Sequence, residues 1–376
     1  MAVQFLRKAT KTIVIICNVV FAIFLMLGCY GNSINLGNDW IAGLFSLTAF
    51  YFLIINVFFI IFWLFVKRWL SLISIITIVI CWMPLQHVFQ LRFSVSFDTK
   101  KERNVIRVMS WNVEHFDIVQ HKSHPEVKTE MIDLVNKYNP DVACFQEMVG
   151  SDSIVKSINY IPEFKKKMKM KDYHFSYFNK LNFDKTHHFG IIIFSKFPII
   201  NKQTYSPEPN KYNSTFQSVD IVRNNDTFRV FNVHLETLRF SPDNREYLND
   251  PSIESGNDIK ESKTILSKFK KGYLKHHWQS DNVRNEIDKS EYPVIVCGDL
   301  NDLPNSYAYN TIGKGLNNAF KEKGSLIGNT YDGISPTLRI DNIFTDKRFS
   351  VEQFIRIKKS LSDHFPIIAD IIFHKD

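Results

Sequence analysis

Residues 293–301 read PVIVCGDLN. Val294, Ile295, Val296 and Cys297 form a short, largely β-branched apolar run between Pro293 and Gly298, which makes them a strand candidate. Asp299 and Asn301 follow where that strand ends. Polar residues recur at this one kind of place along the chain. Ser110-Trp111-Asn112 ends a run that starts at Val105, Gln146-Glu147 ends another, and Asn232-Val233-His234 ends a third. Arg339-Ile340-Asp341 opens a late strand, and Ser362-Asp363-His364 opens the last. Reacting groups of α/β folds gather at strand ends. Taken singly, an Asp after Gly is ordinarily a turn or cap residue, and a strand-end His a hydrogen-bonded structural one. The set as a whole needs a further explanation.

Strand candidates are Val105–Asn112, Asp141–Gln146, Phe189–Phe194, Thr215–Val222, Thr227–Leu235, Pro293–Gly298, Ile340–Phe344 and Phe365–Phe373. A helix from about Glu126 to Tyr138 places Val127, Met131, Leu134 and Val135 on one face, and Asn139-Pro140 closes it. Strands mixed with helices imply a layered α/β architecture with sheets at the centre. No internal repeat or low-complexity linker interrupts it. The stretch from Glu236 to Glu291 is polar, and its second half, Asp258 to Ser290, reads as a helix. Lys263, Lys268, Lys270, Lys271 and Lys275 surround its apolar residues. Such a basic helix is ordinarily packed on its own domain with a solvated face; resting on anionic headgroups is the alternative. The run from Lys165 to Lys169 reads the same way.

The first 91 of the 376 residues are nearly all apolar. A bilayer crossing takes about 20 such residues, and three stretches qualify: 12–30, 41–66 and 69–89. The first is too long for a typical signal-peptide core, and two more follow it, so its retention is expected. Arg7, Lys8 and Lys11 precede the first stretch, and Lys67 and Arg68 fill the turn between the second and third. The loop 31–40 carries no basic residue. Positive residues favour the cytoplasmic side, so the N-terminus is expected there and everything after the third span outside; Lys100, Lys101 and Arg103 pull the other way. This layout suits a bacterial inner membrane. No Asp, Glu, Lys or Arg lies inside a span, which points to anchoring rather than transport. Domain boundaries follow: anchor 1–91, linker 92–103 and a soluble α/β domain 104–376. The five cysteines lie in apolar runs and suggest buried thiols rather than a disulfide framework.

The strand-end residues form a coherent inventory. Glu147, Asp299, Asp341 and Asp363 supply carboxylates, Asn112 and Asn301 amides, and His234 and His364 imidazoles. Hard oxygen donors with few imidazoles suit Mg²⁺ or Mn²⁺ better than zinc. The net charge of +8 suits an anionic partner without choosing one. No GxSxG elbow and no P-loop points to acyl transfer or nucleotide cycling.

In order, SWNVEHF (110–116), CFQE (144–147), NVHLE (232–236), CGDLND (297–302), RIDNIF (339–344) and SDHFPI (362–367) resemble the endonuclease/exonuclease/phosphatase superfamily. Its members include pancreatic-type deoxyribonuclease, abasic-site endonucleases, neutral sphingomyelinases and inositol-polyphosphate phosphatases. The resemblance covers Val105 to the C-terminus. It implies a four-layer α/β sandwich, two packed mixed sheets flanked by helices, here preceded by an all-α transmembrane region of three helices. It further implies a Mg²⁺- or Mn²⁺-dependent phosphoester hydrolase. Glu147 would be the principal metal carboxylate, with Asn112 as ligand or phosphate contact and Asp363 assisting. Asp299 and Asn301 would orient the attacking water and bind phosphate. His364 would contact the phosphoryl oxygen, oriented by Asp341. His234 would be a proton donor or phosphate ligand, with Asn232 a substrate contact. Glu114 departs from the pattern, since some nuclease members carry Asp there, and it is retained as a candidate metal ligand. Asn342 replaces an aromatic residue often found after the Asp of RIDNIF, a change of packing rather than chemistry.

The motifs specify phosphoester hydrolysis and leave the substrate open. The expected partners are a phosphoester (a lipid headgroup, a small phosphoester or a nucleic acid) and the bilayer, with no obligate protein partner evident. An extracytoplasmic endonuclease acting on DNA or RNA is the second reading, and a catalytically silent binding module the third. The loops show no aromatic-and-Arg interleaving of the strand-stacking kind.

Overall fold

The computed structural model describes residues 2–33, 40–93, 96–116, 124–151, 159–182, 187–207, 215–238, 244, 256–333 and 335–375. Four helices come first: α1 (Ala2–Tyr30), α2 (Trp40–Val66), α3 (Ser71–Ile80) and α4 (Trp82–Val88). Beyond them lie β1 (Ile106–Asn112), α5 (Pro125–Tyr138), β2 (Val142–Ser151), α6 (Ile161–Lys167), β3 (Asp172–Asn182), β4 (His187–Ser195), β5 (Ile199–Tyr205), β6 (Phe216–Arg223) and β7 (Asp226–His234). The chain continues through α7 (Gly256–Asp288), β8 (Val294–Asp299), α8 (Tyr307–Ile312), β9 (Asn317–Asn318), α9 (Ala319–Lys323), β10 (Asp341–Thr345), β11 (Phe349–Arg356) and β12 (Ile367–Phe373).

The strands form two mixed sheets of six, ordered β11-β12-β1-β2-β4-β3 and β5-β6-β7-β8-β10-β9. Each has one parallel pair near its centre, β1 with β2 and β7 with β8, and antiparallel neighbours elsewhere. Period-two alternation builds the layers. On β1, Ile106 and Val108 face the second sheet, while Met109 and Trp111 face the helices. On β8, Ile295 and Cys297 face inward, while Val294 and Val296 face outward. Helices α5 and α6 cover the first sheet through Met131, Val135 and Phe164. Helices α7 and α8 cover the second through Val283, Ile287 and Ile312. The result is the expected four-layer sandwich. Cys144 and Cys297 are buried free thiols between the sheets.

Two N-terminal helices are long and apolar enough to cross a membrane, Gln4–Tyr30 and Trp40–Val66. The third stretch, expected as a continuous span over 69–89, is instead a pair of helices bent by 68° at Cys81, and it makes a third span only if the bent pair is counted as one. Pro84 explains the bend, because proline lacks an N–H and its ring clashes with the carbonyl four residues back. That carbonyl, Ile80 O, accepts a hydrogen bond from the Tyr30 hydroxyl at 2.6 Å instead. Inside the bundle, Asn18 donates to Ser74 (2.7 Å), Ser74 to Asn56 (2.8 Å) and the Trp63 indole to Asn18 (2.9 Å). Buried side-chain hydrogen bonds of this kind hold apolar helices together where burial from lipid supplies little drive.

The sandwich is seated on this bundle. The Tyr273 hydroxyl of α7 donates to Asn32, and the Asn32 amide donates to Asn305 O at 2.9 Å. Asn305 in turn donates to Pro84 O at 3.0 Å, and Arg339 donates to His87 O. Stretch 92–103, expected as a linker, is fastened to the sandwich at several points. Arg92 donates to Gly324 O at 3.1 Å, and Asp98 N to the Gln353 side chain at 2.9 Å.

At the end of β1 where that stretch arrives, Arg107 is buried and pairs with Asp370, its register partner on β12, at 2.7 Å through both Nε and Nη2. Its other donors reach Thr99 O, Tyr138 O and Asp98 O, so no charge there lacks a partner. Removing one member of a buried pair costs roughly 3–5 kcal/mol. Asp370→Ala should therefore lower the thermal midpoint of the full chain in detergent by several degrees; an unchanged midpoint would contradict this account of the pair.

Candidate active site

The strand ends flagged in the sequence meet at one end of the sandwich. Gly298 is what allows it on the β7–β8 side. Its φ is +153°, and a Cβ there would lie 1.9 Å from Val233 O, so only glycine fits. With β8 this close, Asp299 falls opposite His234 on one flank and Asp341 on the other. On β2 the device is a bulge: the register moves from Phe145 opposite Ile192 to Met148 opposite Gly190. Glu147 sits in the bulge at φ +56°. Bulges re-aim side chains, and left-handed non-glycine residues cluster at functional sites.

Asp299 is fully buried at the centre. Its Oδ1 accepts from Asn301 N at 2.8 Å, and its Oδ2 accepts from the side-chain amides of Asn112 and Asn301, each at 3.2 Å. The Nε2 atoms of His234 and His364 both lie 3.7 Å from Asp299 Oδ2. His234 Nε2 is also 3.8 Å from Glu147 Oε1. It is buried and has no hydrogen-bond partner among the described residues, and the same is true of Asp341 Oδ1.

His364 Nδ1 lies 2.9 Å from Asp341 Oδ2, while the backbone N–H of Asp341 is anchored on the Thr330 hydroxyl at 3.0 Å. Burial disfavours a charge on His364, but the carboxylates of Asp341 and Asp299 outweigh it and push its pKa up to about 10. Burial also raises the pKa of Asp363, helped by Glu147 and Asp299 and opposed by His364. Glu114 is raised by burial and by Asp363, whose backbone N–H it accepts at 3.0 Å. The pocket is thus crowded with carboxylates whose charges oppose one another.

That donor set fits a hard divalent cation: carboxylates and amide oxygens dominate, and a buried imidazole nitrogen is left unpartnered among them. Asp299, Asp341 and His364 each offer a ligand atom within 4.8 Å of the others. Of the expected site residues, Asn112, Glu114, Glu147, His234, Asp299, Asn301, Asp341, Asp363 and His364 are brought together. Asn232 is not. Its amide donates to Phe145 O (3.0 Å) and Ile192 O (2.9 Å), and its oxygen accepts from Gln146 at 2.7 Å. With both amide hydrogens engaged across the two sheets, Asn232 is a clamp between them and not a substrate contact.

His115 has no role in the sequence reading, yet its Nδ1 is 3.2 Å from Glu147 Oε2. The turn Glu114-His115-Phe116 runs at φ of 42°, 56° and 55°. Phe116 anchors it in the core, its ring tilted against that of Phe164 at 4.5 Å between centroids, and the other two side chains are thereby aimed at the pocket. Trp111 donates to His364 O at 2.8 Å, and the Tyr331 ring lies 5.1 Å from the His364 ring. Neither aromatic carries a motif signal beyond its neighbours.

A family profile described as endonuclease/exonuclease/phosphatase family matches residues 109–364. The chain belongs to that family. The family's members are phosphoester hydrolases. A second profile, described only as a domain of unknown function, matches residues 11–88. No curated protein matches. Among solved structures, an endonuclease/exonuclease/phosphatase from Bacteroides vulgatus is 14% identical, with a TM-score of 0.52, over 72% of this chain and 100% of its own. The human Nocturnin catalytic domain, solved with a bound sulfate anion, is 17% identical with a TM-score of 0.50, over 73% and 96%. A mannosyl-6-phosphatase from Bacteroides thetaiotaomicron is 15% identical with a TM-score of 0.47, over 71% and 100%. The first two likenesses concern the fold.

The clamp at Asn232 has a direct test. Asn232→Ala leaves buried groups of Phe145, Ile192 and Gln146 unpaired, at about 1–3 kcal/mol for a group so stranded. The variant should melt several degrees lower, and its folded fraction should keep the KM of the unaltered chain for any phosphoester it hydrolyses. A raised KM at unchanged stability would restore the substrate-contact role.

Proposed function

We propose that this chain is a membrane-anchored, divalent-cation-dependent phosphoester hydrolase that directs a water at phosphorus without a covalent nucleophile. One observation carries the reading: His234 and His364 both lie within ionic reach of the buried carboxylate of Asp299, and His234 also lies within reach of Glu147. Residues 1–91 form the anchor, 92–103 the connection and 104–376 the catalytic domain.

Glu147 is the principal carboxylate for a Mg²⁺ or Mn²⁺ ion, with Asn112, Asp363 and Glu114 beside it. The Asp299–Asp341–His364 group is the tighter cluster, but His364 Nδ1 is already engaged by Asp341, which suits the dyad to orientation rather than ligation. When bound, the cation would neutralise the phosphoryl oxygens and stabilise the leaving oxygen. The remaining tasks fall to the chain's own groups. Asp299, held by the amides of Asn112 and Asn301, takes the proton of the attacking water as its oxygen bonds to phosphorus. His364, kept protonated by its carboxylate neighbours, donates through Nε2 to a phosphoryl oxygen where charge builds. His234 Nε2 is free to hydrogen-bond the phosphoryl group or return a proton to the oxygen released when the ester P–O bond breaks.

The charges support one orientation in the membrane. Arg7, Lys8 and Lys11 near the start of α1, and Lys67 and Arg68 after α2, mark one end of the helix pair. The sandwich is seated at the other, on Asn32 and Ser46. With the basic end cytoplasmic, the catalytic domain is extracytoplasmic, as suits a bacterial inner membrane.

Glu147→Gln and Asp299→Asn remove charge at constant volume. Each should cut turnover of bis(p-nitrophenyl) phosphate or p-nitrophenyl phosphate by about 10²–10⁴-fold with the melting curve retained. EDTA should abolish turnover, and Mg²⁺ or Mn²⁺ should restore it. Near-full activity in both variants, or indifference to chelator, would contradict the assignment. An alkaline phosphatase reporter fused after Asp376 should be active in whole cells; activity of a cytoplasm-dependent reporter there instead would reverse the orientation.

A further inference from the structure

The two loops that close the catalytic end of the sandwich are also the loops that grip the membrane helices. After Asp299 and Asn301, the chain runs four residues to Asn305, whose carbonyl accepts from Asn32 and Ser46 and whose amide donates to Pro84 O. From Tyr331, against the ring of His364, the chain runs four residues to Ser335, whose hydroxyl lies 3.2 Å from the hydroxyl of Tyr51 on α2. Four residues span at most about 14 Å. The catalytic groups are therefore held within that order of distance from the bundle on two independent paths. A third tie comes from Arg339, two residues before Asp341, through His87 O.

Tyr51 marks a change along α2. Apart from Ile41, no residue of α2 is exposed before it; from it onward, Tyr51, Ile54 and Phe58 are exposed apolar surface, while Asn56 and Trp63 stay buried against the neighbouring helices. Met26 on α1, Val79 at the end of α3 and Trp82 at the start of α4 are likewise exposed. Exposed apolar side chains in contiguous array belong in lipid, and Ser335 rests on Tyr51 at the edge of that array. The direction of β1 agrees. The connection from α4 runs along the sandwich past Gly324 and Gln353 before the chain turns into β1. β1 then heads back toward the bundle and delivers Asn112 to the site. The seat itself is interlocked: a Cβ on Gly43 would lie 2.4 Å from the Tyr273 ring, and Asn32 and Asn305 are buried. The domain is fixed with the site end of the sandwich on the helical bundle and is not hung on a free tether.

We propose that the substrate is a phosphoester carried by a membrane lipid, taken at the bilayer surface and not from bulk water, a proposal that rests on the anchored-hydrolase reading above. A site held this close to the surface meets lipid headgroups at their two-dimensional concentration, while a soluble or polymeric substrate must enter between the sandwich and the membrane. One P–O ester bond of the headgroup is hydrolysed, water supplying oxygen to phosphorus and a proton to the leaving oxygen.

The test uses the full chain in detergent–lipid mixed micelles with Mg²⁺ or Mn²⁺. Lipid probes are phosphatidylglycerol, phosphatidylethanolamine, phosphatidic acid and a polyprenyl phosphate; the soluble probes are glycerol phosphate, bis(p-nitrophenyl) phosphate and plasmid DNA. At least one lipid should turn over at least tenfold faster than every soluble probe, at a rate that follows its mole fraction in the micelle surface and not its bulk concentration. Turnover of soluble probes with none of the lipids, or a rate set by bulk concentration, overturns the lipid proposal and leaves the hydrolase reading standing. No metal-supported turnover of any probe overturns the hydrolase reading beneath it.

Discussion

Carboxylates placed next to one another repel, and this repulsion is the constraint around which the catalytic end of the molecule is organised. Glu114, Glu147, Asp299, Asp341 and Asp363 approach one another at the mouth of two packed sheets, and burial strengthens every interaction among them. Only a rigid frame holds such a group together. The frame consists of strands whose register is fixed by cores on both faces, a glycine that admits no Cβ at position 298, and a bulge that forces Glu147 into the left-handed region. The His364 imidazole offsets part of the charge from within and is held protonated by its carboxylate neighbours. The remaining imbalance is what the proposed divalent cation would offset.

The same frame fixes where the chemistry happens. Asp299 and Asp341 are followed or preceded within a few residues by contacts to the helical bundle, so the stiffness that preserves the pocket also sets its distance from the bundle. Function here is divided between the sheets, which position the reacting groups, and the loops at one end, which position the whole domain.

Much of this is legible in the sequence. The central strands were readable because they are apolar on both faces, and their terminal motifs because a strand end followed by a polar cluster is a local pattern. The four strands absent from the sequence reading, β3, β5, β9 and β11, are the four sheet edges. Edge strands have one flank in solvent and carry charges that blunt pairing; Ile199–Tyr205 is exposed at most positions and includes Lys202 and Gln203, so no apolar run marks it. Asn232 misled because a motif position says nothing about which way an amide points; only the three-dimensional partners reveal a clamp. The bend at Cys81 was written in Pro84, but hydropathy alone averages over it. His115 is invisible to spacing arguments because it reaches Glu147 through an irregular left-handed turn.

The central claim is that the clustered carboxylates bind a divalent cation through Glu147, and direct binding tests it independently of any substrate. Titration of Mn²⁺ into the full chain, followed by the loss of the free-ion paramagnetic resonance signal, should show saturable uptake by the unaltered protein. The same titration on Glu147→Gln should show that uptake abolished or weakened by at least tenfold. Equal uptake by the two proteins, or none by either, would contradict the account.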